Sequence, residues 1–90
     1  MHIEEIEKFI ANKITEEEAF VKINFKKRDP VYGLFVKDKD YNFLKSKNFW
    51  RIVTRNSFEE YNKSKNMALA RMFSGSEFSK LTPVKAMTEI

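Results

Sequence analysis

The side chains that carry most protein chemistry near neutral pH are scarce in this sequence. His2 is the one histidine and cysteine does not occur. That removes a thiolate nucleophile, a thiolate or histidine metal site and a serine–histidine pair. Acid pairs remain in Asp38 with Asp40 and in Glu59 with Glu60. General acid–base work needs two carboxyls in one cleft, and a hard-cation site needs several more oxygens. The first pair falls in a predicted turn and the second on an exposed predicted helix, with no second motif beside either. Ser74-Gly75-Ser76 reads as a tight hairpin turn whose hydroxyls have no base to activate them. With only two glycines in the chain, a glycine-rich phosphate loop is excluded as well. The residues read as non-catalytic, with no metal and no cofactor.

Cations and rings are what the chain has in quantity. Lys26-Lys27-Arg28 makes a compact basic knuckle between two predicted strands. Such a knuckle contacts phosphates or an acidic partner, or is simply a solvated turn. From Lys37 to Arg55, the rings of Tyr41, Phe43, Phe49 and Trp50 interleave with Lys37, Lys39, Lys45, Lys47, Arg51 and Arg55. Stacking rings in a cationic groove are how sequence-tolerant single-strand binders work, at about 1–3 kcal/mol per stacked base. Phe49 and Trp50 lie in a predicted strand, where at least one must face the core. Core packing accounts for most of these rings, which leaves Tyr32, Tyr41 and the cations for the surface.

Charge is unevenly spread along the chain. Residues 1–18 carry six acids against Lys8 and Lys13, a net of −4, whereas the rest carries a net of +8. An acidic leader therefore precedes a basic body whose field the overall +4 understates. A basic body attracts nucleic acid or anionic surfaces, and a lysine coat also keeps a small domain in solution. The leader has Glu4, Glu5 and Glu7 among its isoleucines, unlike the basic start and unbroken apolar stretch of a signal peptide. No uncharged run approaches the ~18 residues of a membrane span. The expected location is the cytoplasm, with no membrane partner.

One domain of 90 residues positions these groups. Ile3, Ile6, Ile10 and Ile14 recur at helical spacing, which predicts an amphipathic helix over residues 3–13. Thr15 to Glu18 has capping-box spacing for a second brief turn. From Ala19 the period changes to two, and Val21, Ile23 and Phe25 alternate with Phe20, Lys22 and Asn24 as a strand with one buried face. Val31 to Lys37 is a second strand, apolar on both faces and interrupted by Gly33, where a bend is expected. Phe49 to Thr54 is a third strand. A capping box at Ser57 to Glu60 opens a helix that reaches about Ser64. Met67 to Phe73 and Glu77 to Leu81 are the fourth and fifth strands, the last ending before Pro83. Residues 1–18 thus form the leader, 19–82 the body and 83–90 a tail without pattern. The fold class is mainly β with an N-terminal α-helix. A short five-strand antiparallel meander buries both faces of its second strand by curling into a small barrel.

That order resembles Sm-like proteins, which belong to the small SH3-like barrels. Gly33 to Leu44 is similar to the family's first motif, with Asp38, Tyr41, Asn42 and Phe43 at its marked places, one residue closer to the glycine than usual. Phe73 to Phe78 is similar to the family's last turn, with Ser74 where a basic residue is usual. The resemblance implies a strongly bent five-strand barrel, RNA binding and ring assembly. It also implies that Asn42 bonds a base edge while Tyr41 stacks nearby; an asparagine in a polar turn that bonds its own backbone is the plainer use. The candidate nucleic-acid residues are therefore Lys26, Lys27, Arg28, Tyr41, Asn42, Lys45 and Lys47, with single-stranded RNA or other nucleic acid as ligand. The alternative is a protein-interaction or self-associating module, its acidic leader docking on a basic surface of its own or another copy.

Overall fold

A computed structural model describes residues 1–13 and 20–84. The expected turn at Thr15 to Glu18 and the tail beyond Val84 lie outside the described residues. Helix α1 spans Ile3–Lys13 with Glu4 and Glu5 in its first turn, where negative charge suits the helix dipole. Its apolar stripe is buried: Ile6 is fully covered, and Ile3, Phe9 and Ile10 pack beside it against the sheet.

Five antiparallel strands follow: β1 (Phe20–Phe25), β2 (Val31–Val36), β3 (Phe49–Thr54), β4 (Arg71–Ser74) and β5 (Phe78–Val84). Two helices interrupt them, α2 (Tyr41–Ser46) before β3 and α3 (Arg55–Ser64) after it. Across the sheet the order is β4-β3-β2-β1-β5. Laid flat, the two edge strands would stand about 19 Å apart. Yet a single 3-10 turn of three residues, Gly75–Glu77, joins them, a reach of about 14 Å even at full extension. The sheet must therefore curl. Phe25 of β1 accordingly meets Phe73 of β4 with ring centroids 5.8 Å apart, although two strands lie between them in the sheet.

The curl does not close into the barrel expected from the sequence. A hairpin would have laid β5 against β4, but the 3-10 turn carries the chain across the gap without doubling it back, and β4 and β5 remain the two edges. Both faces of the sheet are covered all the same. Val21, Ile23, Phe25, Trp50, Ile52, Phe73, Phe78 and Leu81 fill the concave side with Ile6 of α1. Phe20, Leu34, Val36 and Val53 form a second core on the convex side, under Phe58 and Tyr61 of α3. Phe20, expected on the open face of its strand, is buried there edge-on to Phe58 at 4.5 Å.

Gly33 sits in β2 opposite Thr54 of β3 and Val21 of β1. A Cβ at this position would stand 2.5 Å from Ile52 Cγ2 and 2.9 Å from the Val53 carbonyl oxygen. The glycine supplies space rather than an unusual backbone angle, since no glycine here has positive φ.

Three element boundaries differ from the sequence reading. Helix α3 begins at Arg55, two residues before the expected capping box, and its N-cap Thr54 makes no side-chain cap bond. Met67–Leu69 is a 3-10 turn instead of the start of a strand, because the Asn66 side chain accepts from Ala68 N at 3.0 Å and caps it locally. β5 runs on through Pro83 to Val84, which an edge strand tolerates because one of its sides has no ladder to feed.

Candidate nucleic-acid interface

Helix α2 stands where a polar turn was expected. Leu44 N donates to the Asp40 carbonyl at 2.9 Å and Tyr41 N to that of Asp38 at 3.0 Å. One helical turn puts Tyr41 and Leu44 on the same inner face. Leu44 is buried, and Tyr41 packs edge-on against Trp50 with centroids 6.1 Å apart. Lys37 Nζ and Lys45 Nζ lie 4.9 and 5.7 Å from the Tyr41 ring centroid. Tyr41 is thus a half-buried floor for two ammonium groups, and not the free stacking ring expected from the sequence. Its phenol is held above the usual range by burial first and by the negative charge of Glu7 second.

The ring that does face solvent is Phe43, 64% exposed, with Lys47 Nζ 6.0 Å from its centroid. Asn42 is exposed beside it. Two of the nearby cations are paired. Glu7 of α1 meets Lys45 at 3.3 Å, and Asp40 takes two hydrogen bonds from Arg51, the shorter at 2.7 Å. The Arg51 hydrogen bond holds the Asp40 carboxyl below its ordinary range, and the same bond raises Arg51.

Asn48 locks this end together. It takes a left-handed conformation at φ 61°, which asparagine tolerates better than most residues. Its carbonyl accepts from Gly75 N at 2.8 Å, its Oδ1 from Trp50 Nε1 at 2.9 Å, and its Nδ2 donates to the Met1 carbonyl at 3.2 Å. One residue, through its backbone carbonyl and its side chain together, so joins the α2–β3 turn, the β4–β5 turn and the start of α1.

Lys26, Lys27 and Arg28 lie elsewhere. They form the exposed β1–β2 turn, held to the β4–β5 turn by Lys26 N donating to the Glu77 carbonyl at 3.0 Å. α2 follows the far end of β2, so that six-residue strand separates the two groups along the chain, and the β4–β5 turn lies between them in space, bonded to Asn48 at Gly75 and to Lys26 at Glu77. The seven candidate residues therefore make two places: Tyr41, Asn42, Lys45 and Lys47 on α2, and the basic knuckle at the other end. Arg28 spreads its guanidinium over the Phe25 and Phe73 rings at 4.9 and 5.9 Å. Arg71 covers Phe73 at 5.6 Å.

Two residues of interest escaped the sequence reading. Phe43 was assigned to the core with the other rings, although its place two residues after Tyr41 and one before Leu44 turns it outward once the segment is helical. Arg71 carries no local signal, since only the curl of the sheet brings it to the knuckle's ring. Among the described residues, no group of acids and histidine could hold a metal ion, and no helix is long and apolar enough to cross a membrane. Comparison with protein-family models, curated proteins and solved structures gives no match for this chain.

Proposed function

We propose that this chain is a non-catalytic binding domain for single-stranded nucleic acid, RNA being the first class to test, on a curled five-strand sheet that is an open counterpart of the SH3-like or Sm-like barrels. The observation that carries the reading is Phe43, an aromatic ring 64% exposed, with an ammonium at its side and Asn42 next to it. Every unpaired base offers a π-face to such a ring, whereas bases inside a duplex are already stacked. A helix of six residues is also a poor reader of a duplex groove. Fluorescence anisotropy with a labelled single-stranded RNA, and with the same sequence closed into a hairpin, tests this. Tighter binding to the single strand is expected, weakening as salt rises. No binding at low salt, or a preference for the hairpin, rejects it.

A second reading rests on a different surface. Phe49 and Met72 are 38% and 49% exposed, and their register puts them on one face of β3 and the edge strand β4. Exposed apolar side chains beside an unpaired strand edge favour a protein partner or a second copy of the chain. Light scattering on the wild type and on Met72→Lys decides it: a dimeric or larger mass that falls to the monomer supports association, and a monomeric wild type opposes self-association.

A further inference from the structure

The knuckle borders a cleft of about 360 Å³ lined by Phe25, Lys26, Lys27, Arg28, Ser76 and Glu77. Its charge is lopsided: three cations and one carboxylate. Arg28 and Arg71 both converge on Phe73, and neither meets a carboxylate among the described residues. Two guanidinium groups held near one ring without an acid are set for an anion from outside the chain. Arg28 is exposed, with its guanidinium carbon 4.9 Å from the Phe25 ring centroid.

We infer that this cleft is a nucleotide subsite, in which the Arg28 guanidinium is the platform for a base and Lys26 and Lys27 hold its phosphate. Arginine planes stack bases as aromatic rings do. The cleft's volume falls in the lower part of the range of small-molecule sites, about 300–1,000 Å³. Glu77 fixes the orientation: its carboxylate repels the phosphate toward the lysines and accepts from an exocyclic amino group of the base. Adenine, like cytosine and guanine, has that amino group, whereas uracil offers the carboxylate only its ring N3–H. Arg71, whose guanidinium lies 5.6 Å from the Phe73 ring centroid, adds a cation outside the cleft lining for the neighbouring phosphate of a longer strand. The subsite deepens the nucleic-acid reading and rests on it for the longer strand, while its mononucleotide chemistry stands by itself.

The test is an NMR titration of the full chain with adenosine 5′-monophosphate, run beside uridine 5′-monophosphate and inorganic phosphate. Resonances of Phe25, Arg28 and Ser76 are expected to move with the adenosine nucleotide, at lower concentration than with the uridine nucleotide or phosphate. Arg28→Lys keeps the charge and removes the plane, so adenosine nucleotide affinity should fall to that of phosphate. Arg71→Glu, at an exposed position outside the cleft lining, should leave the mononucleotide affinity within about twofold and weaken a longer single strand roughly tenfold, the loss of one charge-assisted contact. Lys63→Glu on α3 should leave these shifts unchanged. Silence at the cleft with millimolar nucleotide overturns the inference, as does equal response to phosphate and nucleotide. If single strands bind while the cleft stays silent, the α2 interface stands alone. If the nucleotide fills the cleft but no strand binds, the strand reading falls and the subsite remains.

Discussion

At the α2 end, Phe43 stands in solvent while Lys45 is tied to Glu7 and Arg51 to Asp40. At the β1–β2 turn the arrangement is reversed: Phe25 and Phe73 are buried, and Arg28 and Arg71 lie over them without an ion pair among the described residues. One end offers an exposed ring with lysines at its side, and the other offers arginines over buried rings. These are different kinds of binding energy. Stacking is local and insensitive to salt, whereas phosphate contacts release counterions and weaken as salt rises. The net charge of the chain therefore says little about which surface binds; the pairing of each cation says more.

The largest expected effect breaks both ends at once. Gly33 lies within the strand that separates them, and a side chain there meets Ile52 and the Val53 carbonyl of β3. Gly33→Val should destabilise the fold by roughly 1–3 kcal/mol through overpacking. In a domain this small, each of those kcal/mol lowers the melting temperature by about 4–8 °C. A thermal melt that stays level or rises would show that β3 has room to give. Phe43→Ala separates the ends instead. It should weaken single-strand affinity roughly 5- to 150-fold, the value of one stacked base, and shift stability by less than about 0.5 kcal/mol because the ring packs on little. Anisotropy and a melt on the same variant read both.

A smaller effect sharpens what paired charge means. Glu7→Gln frees Lys45 from its partner, and exposed ion pairs are worth about 0–1 kcal/mol. RNA affinity should therefore rise, by no more than roughly fivefold; a fall would mean that Glu7 holds Lys45 in its working position. The smallest effect is spectroscopic. Burial holds the Tyr41 phenol above its ordinary value of about 10, with Glu7 the lesser cause. The phenolate signal lost in Tyr41→Phe should titrate late, and Glu7→Gln should bring it only part of the way back. Because the folded pKa is the raised one, this contribution to stability is intact below about pH 10 and is lost as pH climbs toward the folded value. An ordinary titration midpoint would mean that the ring is solvated.

How much of this the sequence carries depends on the length of the signal. Helix α1, β1 and β3 were legible because their periods persist, and β2 because its apolar run does, for six residues or more. The short elements were not. α2 is a single anchored turn whose only inward residues are Tyr41 and Leu44, and Met67–Leu69 is an apolar run captured by an asparagine cap. The covering of β2 on both faces was legible, but its means was not: apolar residues on both sides require burial without saying whether a closed barrel or a helix on each side provides it. The candidate residues were chosen by type, and type carries no distance. Nothing local tells that Lys27 and Asn42 lie at opposite ends of a strand, or that Arg71 and Arg28 share a ring.

The most direct test of two ends with two kinds of binding energy is the salt dependence of affinity for one single-stranded RNA. It is measured for the wild type, for Phe43→Ala, and for Lys26→Glu, Lys27→Glu and Arg28→Glu combined. Each phosphate contact on a single strand contributes about −0.7 to the slope of log affinity against log salt. Phe43→Ala should lower the line and leave its slope unchanged. The triple variant should flatten the slope by about 1.4, the share of the two lysine contacts. A triple variant that keeps the wild-type slope, or a Phe43 variant that flattens it, would contradict the division of labour between the two ends.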